Sequence, residues 1–152
     1  MTIHATATVD ASATLADGVV IGPWCVVGPG VALAEGVELR GHAVVERDTI
    51  VGPRTVIHPF AVVGGDPQHT GYKGETVRLE IGADNVIREH ATLNRGTPQG
   101  HGVTRIGSNN LLMTGAHVGH DCVVGDHVVM ANNATLGGHT VVGDKVFLGG
   151  LC

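Results

Sequence analysis

The sequence predicts an all-β fold, a parallel β-helix built from six-residue repeats. Three observations predict it: aliphatic residues recur at every sixth position, apolar residues make up 43% of the 152 residues although aromatic residues make up only 3%, and 24 residues are glycine. A core with so few aromatic side chains must be filled by Val, Ile, Leu and Ala. Such a core suits a narrow prism of many thin, equivalent layers.

The six-residue period holds at 22 positions, and none of them is polar. In chain order they are Ile3, Val9, Leu15, Ile21, Val27, Leu33, Leu39, Val45, Val51, Ile57 and Val63, then Ile81, Ile87 and Leu93, then Ile106, Leu112, Val118, Val124, Met130, Leu136, Val142 and Leu148. Six residues are too few for a helical repeat but fit a short strand followed by a tight turn. Three such repeats make one triangular coil, and coils stack about 4.8 Å apart.

The residues around each aliphatic position support this strand-and-turn unit. Gly follows the aliphatic residue in half of the repeats, and Pro stands two residues after it in four, as at Pro23 and Pro53. The residue two positions before it is Ala or Cys in many of the repeats. Cys25 and Cys122 occupy this small inward position, so we expect buried, unreactive thiols. The chain has three cysteines in all, and we expect no disulfide framework.

The period is interrupted twice, at 64–80 ("GGDPQHTGYKGETVRLE") and at 94–104 ("NRGTPQGHGVT"). Both segments are rich in Gly, Pro and polar residues, which is typical of loops. A β-helix accommodates extra residues at its corners, as surface loops. Because the rest of the repeat is so strict, we interpret the two loops as parts of a binding site rather than as spacers.

Charge and hydropathy exclude several classes of partner. The net charge is −5 with only 9 Lys and Arg residues, so no basic stripe for nucleic acid is present. No apolar run approaches the roughly 20 residues of a membrane span, so we expect no stable membrane insertion. The first residues, "MTIHATATVD", lack the features of a signal peptide. We expect a cytoplasmic protein with one domain, residues 1–152.

Histidine, aspartate and glycine are concentrated in one stretch, residues 116–139 ("AHVGHDCVVGDHVVMANNATLGGH"). The segments "IHATATVD", "IGPWCVVGP", "YKGE", "RLEIGADNVIREHATLNRGT", "GVTRIGSNNLLMTGAHVGHDCVVGDHVVMANNATLGGH" and "VFLGGL" resemble the acyl-carrier-protein-dependent UDP-N-acetylglucosamine O-acyltransferases of lipid A synthesis. The resemblance covers essentially the whole chain and implies a left-handed β-helix, a homotrimer, a UDP-sugar substrate and an acyl carrier protein as partner. It implies transfer of a 3-hydroxyacyl group to the 3-hydroxyl of UDP-N-acetylglucosamine.

The resemblance also implies roles for individual residues. His120 matches the catalytic base, Asp121 the carboxylate that orients it, and Gly138 the backbone N–H that stabilises the oxyanion. The residues that match substrate-contacting positions are His117, His139, Gln68, Lys73, Asn94 and Arg95.

The coil period explains how distant residues could meet at one site. Val118 and Leu136 are separated by three repeats, so they stack on successive coils. His120 and Gly138 each follow two positions later, so we expect them to be neighbours about 5 Å apart. A histidine whose pKa lies near neutral pH is the natural base for a sugar hydroxyl, and an adjacent carboxylate fixes its tautomer.

Three residues differ from the family's usual pattern, two in the first loop and one at the start of the second loop. His69 and Gly71 stand where the family commonly has Asp and Lys, and Asn94 stands in place of a His. The six-residue period is incomplete at Cys152, so we expect that a C-terminal part is missing, including the family's C-terminal helical domain.

Three alternatives remain open at this point. A sugar-nucleotide N-acyltransferase would use the same base, and the residues do not separate O- from N-acylation or set the acyl length. A truncated β-helix trimer could bind without catalysis. A zinc enzyme could use His117, His120 and His139 as ligands, but the resemblance accounts for these histidines without metal, so we expect no metal and no cofactor.

Overall fold

The computed structural model describes residues 1–152 as 22 short strands without a helix. Each strand contains one of the 22 aliphatic positions. The strands are β1 (Thr2–Ile3), β2 (Thr8–Val9), β3 (Thr14–Leu15), β4 (Val20–Ile21), β5 (Val26–Val27), β6 (Ala32–Leu33), β7 (Glu38–Leu39), β8 (Val44–Val45), β9 (Thr49–Val51), β10 (Val56–Ile57), β11 (Val62–Gly65), β12 (Arg78–Ile81), β13 (Val86–Ile87), β14 (Thr92–Asn94), β15 (Val103–Ile106), β16 (Leu111–Leu112), β17 (His117–Val118), β18 (Val123–Val124), β19 (Val129–Met130), β20 (Thr135–Leu136), β21 (Val141–Val142) and β22 (Phe147–Leu148).

Every third strand pairs in parallel, which produces three sheets around one axis. Sheet 1 contains β1, β4 and every third strand up to β22, sheet 2 runs in the same way from β2 to β20, and sheet 3 from β3 to β21. Positions separated by three repeats are paired, as Val118 is with Leu136. The predicted parallel β-helix with three strands per coil is therefore confirmed, and it is a left-handed one.

The core is a single column of the predicted aliphatic side chains. Ile21, Leu39, Ile57, Leu93 and Val118 are at most 1% exposed, and they belong to one cluster of 30 buried residues. Ile3 in the first coil is 43% exposed, because a coil at either end has a neighbour on one side only. Aliphatic packing across coils replaces the aromatic core of an ordinary globule.

The two inward cysteines are buried as predicted. Cys25 and Cys122 are both 0% exposed, and their thiols donate to the carbonyl oxygens of Arg40 (3.0 Å) and Gly137 (3.1 Å). Burial raises the pKa of both thiols, which suppresses the reactive thiolate.

Both interruptions of the period project from the same edge of the prism. They connect β11 to β12 and β14 to β15, so both lie where sheet 2 passes into sheet 3; we call this edge the insertion corner. Val51 pairs with Ile81, and Ile81 pairs with Ile106. Each of these two coils is therefore longer than the regular three repeats, and the first is the longer of the two.

A ladder of buried amides occupies the corner between sheets 3 and 1. The Asn85 side-chain amide donates to the carbonyls of Gly82 and Gly107 (2.9 Å each), and its Oδ1 accepts from the Asn110 N–H (2.9 Å). The Asn110 Oδ1 accepts in turn from the Val128 N–H at 2.6 Å. Each amide satisfies backbone groups of the neighbouring coil, which a buried polar group requires.

Candidate active site

His120 and Asp121 lie in the turn between β17 and β18, at the insertion corner. Asp121 has a positive φ of 59°, a conformation that short polar side chains tolerate. The turn places the two side chains against each other: His120 Nδ1 lies 2.9 Å from Asp121 Oδ2. If Nδ1 carries the hydrogen of this bond, Nε2 has a free lone pair and can accept a proton.

The second insertion encloses the Asp121 carboxylate. Thr97 donates its hydroxyl to Oδ2 at 2.6 Å and its N–H to the carboxylate at 3.1 Å, and the His101 N–H donates to Oδ1 at 2.8 Å. The Asp121 side chain is 0% exposed and that of His120 is 13% exposed. The turn 97–101 therefore fixes the carboxylate, and the carboxylate fixes the imidazole.

These bonds determine the ionisation of Asp121. Burial is the largest single influence and would raise its pKa, but the hydrogen bonds from Thr97, His120 and His101 together lower the pKa to about 2. The carboxylate therefore stays ionised at neutral pH and can stabilise an imidazolium beside it.

The low pKa of Asp121 predicts a specific acid sensitivity. Its stabilising contribution is present above the ordinary pKa of 3.8 and is lost as pH falls through about 2. We expect this loss to reach about 2 kcal/mol between pH 4 and pH 2. In urea unfolding across this range, Asp121→Asn should show a correspondingly flatter pH dependence. Parallel profiles for the two proteins would contradict the assignment.

Gly138 lies directly against the His120 ring. A Cβ at position 138 would come within 2.6 Å of His120 Nε2, so this close approach requires glycine. The Gly138 N–H donates to no group of the chain. The next residue, His139, donates its backbone N–H to the His120 carbonyl at 2.9 Å, and the two rings meet edge to face with centroids 5.0 Å apart. The stacking that the period predicts is present.

His117 and Asn94 lie on the strands that lead into this corner. His117 Nδ1 is 2.8 Å from the hydroxyl oxygen of Thr92 on the neighbouring coil, and burial lowers the His117 pKa. Asn94 is 5% exposed, and its Oδ1 has no hydrogen-bond partner. A buried side-chain carbonyl without a partner is uncommon. Asn94 is the last residue of β14 and the first residue of the second insertion.

Arg95 is placed inside the chain rather than on its surface. Its side chain is 0% exposed; Nε donates to the Gly64 carbonyl at 2.9 Å, and the guanidinium pairs with Asp66 and lies over the Tyr72 ring at 5.9 Å. All of these partners belong to the first insertion. Arg95 therefore ties the two insertions together.

The two candidates in the first loop make no contact of their side chains with His120. Gln68 and Lys73 are exposed. The Lys73 backbone N–H donates to Glu75 Oε2 at 2.7 Å, whereas neither side chain makes a hydrogen bond within the chain.

Two histidines outside the predicted set surround the site. The His69 ring lies edge-on to His120 with centroids 5.2 Å apart, and the His101 ring lies 6.4 Å from that of His139. Both come from the insertions. Their location in the two insertions, which lie at one corner, could have indicated that they are near the site. The repeat could not predict the path of the insertions, and therefore not these contacts.

Comparison with known proteins finds relatives of this chain. A model of the bacterial transferase hexapeptide, six repeats, matches residues 104–138. An acyl-[acyl-carrier-protein]–UDP-N-acetylglucosamine O-acyltransferase of Caulobacter vibrioides is 60% identical over 79 residues, 52% of this chain and 30% of the relative. A crystal structure of a UDP-N-acetylglucosamine acyltransferase superimposes with a TM-score of 0.98 at 48% identity, covering 99% of this chain and 58% of the other. The chain is similar to UDP-N-acetylglucosamine acyltransferases along almost its whole length.

Other solved structures are similar to this chain to different degrees. The structure of such an acyltransferase from Acinetobacter baumannii gives a TM-score of 0.97 at 49% identity over 99% of this chain and 58% of that one. A perosamine N-acetyltransferase from Caulobacter crescentus covers 95% of this chain and 50% of its own at 20% identity and a TM-score of 0.57, so it shares the fold alone. The chain spans about a third of the curated relatives in sequence alignment and 58% of the solved ones. It contains no helix that could cross a membrane.

Proposed function

We propose that the chain carries the catalytic base of an acyltransferase that moves a 3-hydroxyacyl group from acyl carrier protein to the 3-hydroxyl of UDP-N-acetylglucosamine, the first step of lipid A synthesis. The observation that supports this most directly is the His120–Asp121 pair beside the free N–H of Gly138. The acyl carrier protein and the UDP-sugar are the substrates named for the curated relatives.

His120 acts as general base in this proposal. Its Nδ1–H donates to Asp121, and Nε2 takes the hydrogen of the sugar hydroxyl as that oxygen attacks the thioester carbon. The oxyanion that forms accepts from the Gly138 N–H, a preorganised donor. Collapse breaks the C–S bond, and the imidazolium returns the proton to the departing thiolate. The products are the ester and the carrier-protein thiol, with no acyl-enzyme.

The remaining candidates are assigned to substrate contact or to support of it. His139 is half exposed beside His120 and contacts the sugar directly, whereas His117 and Asn94 line the strands next to the base. Gln68 and Lys73 are free to reach the sugar nucleotide or the acyl chain. Arg95 acts through the first loop, which it holds in place.

The outward face of sheet 1 favours self-association. Its outward side chains are mostly apolar: Val20, Val56, Val86, Leu111, Val129 and Phe147. We expect a homotrimer of parallel prisms in which His120 of one subunit lies near the next subunit. Light scattering at micromolar concentration should report three chains, and a monomer would contradict a shared site.

An acyl-transfer assay of the natural protein that carries this sequence tests the function, with acyl groups of several lengths on the carrier protein. UDP-N-acetylglucosamine and its 3-amino analogue are compared as acceptors, because the same base could serve an amine. We expect transfer to the hydroxyl. Exclusive transfer to the amine would identify an N-acyltransferase, and binding of both acceptors without any transfer would identify a non-catalytic β-helix.

A further inference from the structure

The insertion corner brings together three side chains of the kinds that bind metal ions. His120, Asp121 and His139 each offer one ligand atom, and these atoms all lie within 4.8 Å of one another. We propose that this trio is a Zn²⁺ site whose occupation is incompatible with the action of His120 as a base. This goes beyond the proposed function, and only its inhibitory consequence rests on that function.

The distances come close to those that a tetrahedral zinc ion requires. With bonds of about 2.0–2.1 Å, its ligand atoms are roughly 3.4 Å apart. His139 Nε2 lies 3.8 Å and His120 Nδ1 lies 2.9 Å from Asp121 Oδ2. Shifts of about half an ångström bring both separations into range. The third separation, between the ligand nitrogens of the two histidines, is within 4.8 Å and must shorten as the His139 ring moves. The His139 side chain is 52% exposed, so its ring has room to move.

The surroundings of the carboxylate prepare it as a ligand. Thr97 and the His101 N–H already hold Asp121 in the ionised state and in one orientation. Partners of this kind raise the affinity of a ligating group. Two imidazoles and one carboxylate suit zinc far better than calcium or magnesium, which prefer oxygen ligands alone.

Zinc and catalysis would compete for the same ring. Neutral His120 carries its hydrogen on Nδ1, shared with Asp121. When zinc takes Nδ1, that hydrogen moves to Nε2 through solvent, and no net proton is released. Nε2 then has no lone pair for the sugar hydroxyl. The zinc set differs from the one that the sequence allowed, because Asp121 replaces His117, whose Nδ1 is engaged with Thr92.

Calorimetric titration of the metal-free chain with ZnCl₂ at neutral pH tests the site without any assay of activity. We expect one ion per chain with a dissociation constant of roughly 10 µM or tighter. His139→Asn should weaken binding at least about tenfold, because one of three ligands is lost. The matched control is His127→Asn, since His127 is an exposed corner histidine with a similar positive φ, 57° against 63° for His139. It should bind zinc as the wild type does.

Two outcomes would overturn the proposal: no zinc binding at millimolar concentration, or equal weakening by both substitutions. MnCl₂ serves as a probe of specificity and should bind much more weakly. In the acyl-transfer assay, ZnCl₂ should abolish transfer and a chelator should restore it; full activity with the site loaded would refute the competition. If the zinc-free protein transfers no acyl group at all, the proposed function fails, while the calorimetry still decides the zinc site.

Discussion

Replacing His120 with alanine is expected to lower the turnover of acyl transfer by about 10²- to 10⁴-fold, the usual contribution of a positioned base. The imidazole is the one group that combines a fixed tautomer, through Asp121 at 2.9 Å, with contact to Gly138. Initial rates with acyl carrier protein and UDP-sugar, in the natural protein that carries this sequence, measure the effect. The fold should be unaffected, because His120 is no part of the aliphatic column.

Two variants serve as controls for this experiment. Cys122→Ala removes the nearest alternative nucleophile, and it should change turnover little because the thiol is buried and bonded to the Gly137 carbonyl. His127→Ala removes an exposed histidine one coil corner away and should leave activity unchanged. Undiminished turnover in His120→Ala, or an acyl group trapped on Cys122, would mean that His120 is not the general base and would reopen the covalent alternative.

Replacing Val124 with aspartate is expected to prevent folding. Val124 is 2% exposed in sheet 3, paired with Ile106 and Val142. An unpaired carboxylate at this position costs several kcal/mol, a large part of the total stability of about 5–15 kcal/mol of an ordinary domain. Circular dichroism and thermal melting should show an unfolded or aggregated chain.

Val141→Asp is the matched control, with the same substitution on the outward face of the same sheet. Val141 is 75% exposed, so the new carboxylate stays in water and the chain should fold. A Val124→Asp protein that melts at the wild-type temperature would mean that the inward register is wrong.

The strands and the core were predictable because both follow from the six-residue repeat. One aliphatic position in six defines both the strand and the side that faces inward, and pairing between every third repeat follows from the triangular coil. The contact of Gly138 with His120 follows from the same rule. Even the shared corner of the two loops follows from where the period stops and resumes.

The contacts made by irregular backbone were not predictable. The clamp of Thr97 and the His101 N–H on Asp121 depends on the path of the second insertion, which no period describes. Arg95 was assigned to substrate because of its motif, yet its guanidinium is bonded inside the chain to the first insertion. The ladder of Asn85 and Asn110 was not predictable, because isolated asparagines in a turn-rich sequence have no distinctive spacing.

The two enlarged coils have a consequence for how such a protein can change. A prism of identical layers has translational symmetry, so no layer is chemically distinct from the next. The additional residues of the two insertions break that symmetry at one height along the axis and thereby decide where chemistry can occur. Whole layers could be duplicated or removed between Thr2 and Val27, which the coil of Val45 separates from the first insertion, without altering the reacting groups. The number of coils in the prism can therefore change independently of the reacting groups.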